Sequence, residues 1–140
     1  MDADAGIRAA RPLRLLLLVA ALDSLMVGTW AVLRPDGLFA WLQVPPTPDG
    51  QVLCRALGVL TMAHAPCLVL AALWPGKWGG LVVVPLLGRA VLAGVWLWLV
   101  NSDRVQPSPS ALRWLLAHDA AWLPVFAAHI AVTARATKHA

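Results

Sequence analysis

Residues 111–134 read ALRWLLAHDAAWLPVFAAHIAVTA. As a helix this stretch is long enough to cross a bilayer, which takes roughly 20 mainly apolar residues. It nevertheless carries His118 and Asp119 side by side near its middle. Whether the surroundings of that pair are a protein core or lipid decides the fold. The rest of the chain answers for lipid. Of 140 residues, 60% are hydrophobic and 13% charged, and the mean hydropathy is +0.72. A soluble chain of this length buries too small a fraction of its surface to hide so many apolar side chains.

Three further segments have the same length and character: 15–33, 52–74 and 80–100, with 111–134 as the fourth. Each stops at residues that a helix does not continue through: RPDG and then PPTPDG, PGKWGG, and NSDRVQPSPS. The expected fold is all-α, a four-helix transmembrane bundle forming a single integral membrane domain over 1–140. Between the first two spans, Leu38, Phe39, Trp41 and Leu42 lie between proline stops. That segment is too short to cross and is expected at headgroup level. The basic, Leu-rich start resembles a signal peptide, but its apolar run continues to Leu33, beyond an h-region of about 7 to 15 residues. It reads as a retained anchor.

The distribution of Lys and Arg sets the expected orientation. Arg8, Arg11, Arg14, Lys77, Arg135 and Lys138 fall on one side, against Arg34, Arg104 and Arg113, with Arg55 just inside the second span. Both termini are therefore expected in the cytoplasm. The net charge of +4 suits a lipid surface and calls for no nucleic acid. Trp30, Trp74, Trp78, Trp98 and Trp114 fall near segment ends, where an interfacial aromatic belt accounts for them without a ligand cage.

An ionised side chain near the bilayer centre costs about 2.5 to 3.5 kcal/mol even on the insertion scale, so charges there need partners or water. The spans hold Asp23, Arg55, Arg89 and Asp119, two acids and two bases. At 1.5 Å per residue, Asp23 and Arg89 each sit roughly 13 Å from the cytoplasmic side. Arg55 and Asp119 sit roughly 5 and 12 Å from the other side. The expected pairs are Asp23 with Arg89 and Arg55 with Asp119. Such pairs serve helix packing, or they mark a polar cavity or proton path that also engages His118.

His64 and His129 are the other intramembrane histidines. Measured from the outer ends, His64, His118 and His129 lie roughly 18, 10 and 27 Å deep, which is unfavourable for two haem ligands on facing helices. The close His and Cys spacing of a zinc site is missing. No metal or cofactor is predicted, although the spans leave room for a haem or a quinone. Cys54 and Cys67, roughly 20 Å apart on one helix, are too distant to bridge. Pro66, Pro85 and Pro124 are expected to free the carbonyls of Met62, Leu81 and Ala120 inside their spans. Gly58, Gly80, Gly88 and Gly94 are candidates for close helix approach. The chain has no Glu, no phosphate-binding glycine loop, no GxSxG and no HExxH.

PLLGRAVLAG at 85–94 and HDAAWLPVF at 118–126 resemble a pattern found in the DoxX-like group of small bacterial four-helix membrane proteins. The matching positions are Gly88, Arg89, Asp119, Trp122, Pro124 and Phe126. The resemblance implies a bacterial cytoplasmic membrane and, by analogy with named members, a subunit of a quinone-linked redox system. Asp23 and the RPDG loop depart from that pattern. Taken together, the residues favour a non-enzymatic accessory or structural subunit, associating with other membrane subunits or with copies of itself. The alternative is a quinone-linked redox or proton-coupled membrane protein.

Overall fold

The computed structural model describes residues 3–104 and 106–137. The described chain is helical, in the order α1 (Ala3–Leu33), α2 (Pro35–Leu42), α3 (Pro48–Leu73), α4 (Pro75–Trp78), a 3-10 turn (Gly79–Val82), α5 (Val83–Asn101) and α6 (Pro109–Thr137). Four stretches are long and apolar enough to cross a membrane: Arg11–Leu33, Pro48–Leu73, Pro75–Asn101 and Pro109–Ala134. The all-α bundle expected from the sequence is therefore present. The side chains of Arg8 and Arg135, and the whole of Lys138, lie outside what is described.

Prolines set most of the boundaries. The residue before a proline is driven out of the α region. Accordingly Arg34 and Trp74 leave helical angles immediately before Pro35 and Pro75, each of which opens the next helix. The segment expected at the interface is the short helix α2. It ends at Gln43, whose left-handed φ of 60° turns the chain, and its N–H donates to Ala40 O. Pro45 and Pro46 follow, and α3 begins under Thr47, whose Oγ1 accepts from Gly50 N–H at 3.1 Å. Thr47 is exposed and otherwise unburdened by packing. Thr47→Ala is therefore expected to lower stability by about 1 kcal/mol, the usual worth of an N-cap, read as a small fall in the melting temperature of the detergent-solubilised protein.

Pro85 differs from expectation. It sits in the first turn of α5, where no intrahelical bond is due from its nitrogen, so it starts the helix and does not interrupt it. Pro66 and Pro124 do lie inside their helices.

The core is built from small residues. Leu17, Ala20 and Ala21 of α1 meet Ala65, Leu68, Ala71 and Ala72 of α3, with Val82 and Phe126 closing the cluster. Nearer the α2 end, the backbones of α1 and α3 touch: a Cβ on Gly28 would lie 2.6 Å from Gly58 O, and one on Gly58 would lie 2.8 Å from Gly28 O. Cys54 Sγ, lodged in the same seam, donates to Ala31 O at 3.6 Å. Both cysteines are free. Of the four glycines expected at contacts, Gly58 and Gly88 are in them, while Gly80 and Gly94 face open space. Gly28 and Gly79, the latter with Thr133 Cγ2 2.8 Å from where a Cβ would stand, are contact glycines outside that expected set.

The helices are unequally covered. The apolar windows of α1 and α3 are each 33% buried, against 17% for the Pro75–Asn101 stretch and 11% for α6. A tight α1/α3 pair thus carries α5 and α6 as looser outer members. Their inner faces meet where the charges are.

Candidate functional site: a buried charge cluster

Three helices each deliver ionisable groups to one point. On α1, Asp23 and Ser24 lie one turn beyond Ala20, and Ser24 Oγ donates back to Ala20 O at 2.8 Å. On α5, Arg89 follows Gly88. On α6, His118 and Asp119 project toward both. Gly88 has a steric role: His64 of α3 lies flush against it, and a Cβ there would collide with the imidazole. The glycine lets α5 come close enough for Arg89 to reach across.

Arg89 is the hub and is 4% exposed. Its Nη2 donates to Asp23 Oδ2 at 3.0 Å and to Ser24 Oγ at 3.2 Å, while Nη1 donates to Asp119 Oδ1 at 3.0 Å. A planar guanidinium with five N–H donors is suited to bridging two carboxylates in this way. Its Cζ also lies 5.8 Å from the Trp122 ring and 6.0 Å from Phe126, placing aromatic faces against the cation. Nε has no hydrogen-bond partner among the described residues.

His118 completes the cluster. Its Nε2 is 2.9 Å from Asp23 Oδ1 and its Nδ1 is 3.6 Å from Asp119 Oδ1. The imidazole therefore lies between the same two carboxylates that Arg89 joins. On its other side it stacks on Trp114, with centroids 4.9 Å apart and planes 14° from parallel. Helical spacing explains this geometry, since Trp114 and His118 are four residues apart and Asp119, Trp122 and Phe126 recur at three and four.

The expected Asp23–Arg89 pair is present, but the expected Arg55–Asp119 pair is not. Arg55 is exposed and makes no ion pair among the described residues. The error lay in assigning one base to each acid, whereas a single guanidinium serves both. With α3 starting at Pro48, Arg55 is near enough to the helix end for its long side chain to reach toward polar surroundings. His64 and His129 are buried, yet neither makes a side-chain hydrogen bond to the cluster among the described residues. His64 Nδ1 and His129 Nε2 are unpartnered there. Among the described residues, no group of three or more His, Cys, Asp or Glu side chains is arranged to hold a metal ion.

Two cavities lie at the end of the bundle remote from the termini. The first, about 600 Å³, is a vestibule lined by Trp30, Trp41, Trp114, Gln43, Ser108, Ser110 and Ala111. Its indoles form a chain: Trp30 and Trp41 centroids are 6.3 Å apart, and Trp41 and Trp114 are 5.3 Å apart edge to face. A backbone bond from Ser108 N–H to Leu42 O, 3.0 Å, ties the loop before α6 to the end of α2. An interfacial belt predicts rings spread around the bundle; these three converge on one corner. The second cavity, about 510 Å³, is mainly apolar and lies between α1, α2, α3 and α5, with Leu53, Leu57, Trp96 and Leu99 in its walls. None of Asp23, Arg89, His118 or Asp119 lines it.

Fold and site together define a small polytopic membrane protein with an ionic cluster inside its helical bundle. No protein-family model, no curated protein and no solved structure matches the chain.

Proposed function

We propose that this chain is a proton-coupled membrane protein whose proton-binding centre is the Asp23–Arg89–Asp119–His118 cluster. The observation that carries this reading is a charge count. Two carboxylates face one guanidinium, leaving one negative charge in surroundings where uncompensated charge is expensive. His118 is in contact distance of both carboxylates, so one proton on its imidazole makes the cluster neutral. Trp114 stands between that imidazole and the vestibule, whose lining includes Gln43, Ser108 and Ser110. Purified protein in nanodiscs should exchange with a pH-indicator dye one proton per chain more than His118→Asn does, the variant keeping its helical spectrum. A wild-type cluster that neither takes up nor releases a proton at any pH where the chain stays folded would sink the proposal.

A subunit role is the second reading. What favours it is the uneven cover of the bundle, with the Pro75–Asn101 stretch and α6 presenting most of their apolar surface outward. In this reading the bare faces dock on other membrane subunits or on further copies, and the cluster fixes helix register. Measuring mass in mild detergent tests it: a stable larger assembly supports it, and a lone chain removes it. The quinone-linked form suggested by the DoxX-like resemblance fits less well, because a quinone in the apolar cavity would have no cluster residue at its carbonyls. The bacterial cytoplasmic membrane, with both termini cytoplasmic, is proposed from that resemblance and from the Lys and Arg distribution.

A further inference from the structure

Three of the indoles already hold a cation belonging to the chain. Lys77 Nζ lies 5.2 Å from the Trp78 ring, Arg104 Cζ lies 5.3 Å from Trp98, and Arg89 lies over Trp122. The vestibule is different. Trp30, Trp41 and Trp114 gather there, and among the described residues no Lys or Arg lines it. Indole faces attract cations, most strongly where water is partly excluded, and aromatic walls of this kind suit ammonium groups. The rest of the lining, Gln43, Ser108 and Ser110, supplies neutral oxygens that accept from N–H or O–H donors and adds no competing positive charge.

Beneath the aromatic wall is the ionic cluster. Trp114 stands between the vestibule and His118, with one face on the imidazole. The groups around His118 are Asp23 from α1, Arg89 from α5 and Asp119 from α6 itself. From α3, His64 packs against Gly88, next to Arg89; α2 contributes Trp41, while its acid Asp36 accepts from Gln51 Nε2 of α3 at 2.6 Å. With His118 protonated this set is neutral, and without that proton it carries one negative charge. A cation in the vestibule therefore gains most when the proton has left.

We infer that the vestibule binds an organic ammonium ion and that its occupancy is exchanged for the proton on His118. The ammonium enters against the indoles, the His118 proton passes to water, and charge is conserved with no bond made in the ligand. Linkage is reciprocal, so the proton weakens the cation by the same factor as the cation weakens the proton. The exchange rests on the proton-coupled reading above; the binding site itself does not.

The test uses the full chain in nanodiscs, with choline as probe and 3,3-dimethylbutan-1-ol as its uncharged isostere. Choline should quench tryptophan fluorescence saturably, and the neutral alcohol should bind about tenfold more weakly, as expected for loss of a cation–π contact. Choline should also bind more weakly as the pH is lowered through the His118 titration, and the pH indicator should record a proton released on binding. Ser110→Lys, which places a tethered ammonium at the exposed rim, should abolish choline binding with the fold unchanged. Trp41→Leu should do so as well, but its packing role makes it the less decisive variant. Equal affinity for choline and the alcohol, or choline binding that survives Ser110→Lys, overturns the site. Choline binding that is blocked by Ser110→Lys, yet shows the same pH dependence in His118→Asn as in wild type, overturns the exchange. Absence of choline binding alongside an intact His118 titration overturns the inference and leaves the proton-coupled reading standing.

Discussion

Replacing Arg89 by leucine is expected to destabilise the folded bundle by about 3 to 5 kcal/mol, the cost of breaking a buried ion pair by removing one partner. The effect is at the upper end because Arg89 serves two carboxylates and Ser24 at once. Without it, Asp23 and Asp119 face each other with only His118 between them. Asp23→Asn or Asp119→Asn should cost less, since either leaves Arg89 with one carboxylate. Arg89→Lys should recover only part of the loss, because a single ammonium on a flexible stem cannot present two parallel donors to two acids. A variant replacing Asp23, Arg89, His118 and Asp119 together by apolar residues of similar volume should be more stable than Arg89→Leu alone. Resistance to unfolding in mixed micelles titrated with a denaturing detergent measures the series. If Arg89→Leu unfolds with wild type, the cluster contributes nothing to holding the helices.

The second large effect is steric. Gly28→Ala inserts a Cβ 2.5 Å from Met62 Cγ, 2.6 Å from Gly58 O and 2.9 Å from Met62 N. Two of those three atoms are backbone, so the contact is relieved only by moving α1 and α3 apart. Overpacking of this kind costs about 1 to 3 kcal/mol, and the loss should appear as a lowered unfolding midpoint. Gly58→Ala should behave similarly, meeting Gly28 O and the Val32 side chain. Gly94→Ala is the control. Nothing lies within 4 Å of its added methyl, and alanine is the better helix former by about 1 kcal/mol, so stability should hold or rise. Identical losses at Gly28 and Gly94 would mean that close backbone approach is not what joins the first pair.

Apolar length and proline punctuation carry the fold, and both are legible in one dimension. That is why the four crossings were readable to within a few residues, apart from the 3-10 turn that places Pro85 at a helix start. Depth along a helix is also legible, which is how Asp23 and Arg89 could be matched. Rotation about the helix axis and lateral neighbourhood are not. Arg55 and Asp119 were matched by depth although the two side chains do not meet, and the link from Asp23 to His118 was invisible because it joins α1 to α6. Ser24 beside Asp23 gave a faint signal, a second polar group in an apolar run. Trp114 gave a stronger one, four residues before His118. Gly28 had no signal of its own, since its importance depends on which glycine of another helix lies opposite.

The spacing of the cluster along the chain also bears on how the protein is made. Asp23 is separated from Arg89 by 66 positions and from His118 by 95. At roughly 5 to 20 residues synthesised per second, Arg89 emerges about 3 to 13 s after Asp23. The α1/α3 pair has all its seam residues by then, so it is able to associate while its buried acid still lacks a countercharge. A nascent chain stalled or cut before α5 would be an α1/α3 hairpin with a lone carboxylate among lipid tails, where an unpartnered charge is costly. Arrival of α5 then serves as the closing signal, because Arg89 supplies the countercharge that Asp23 lacks.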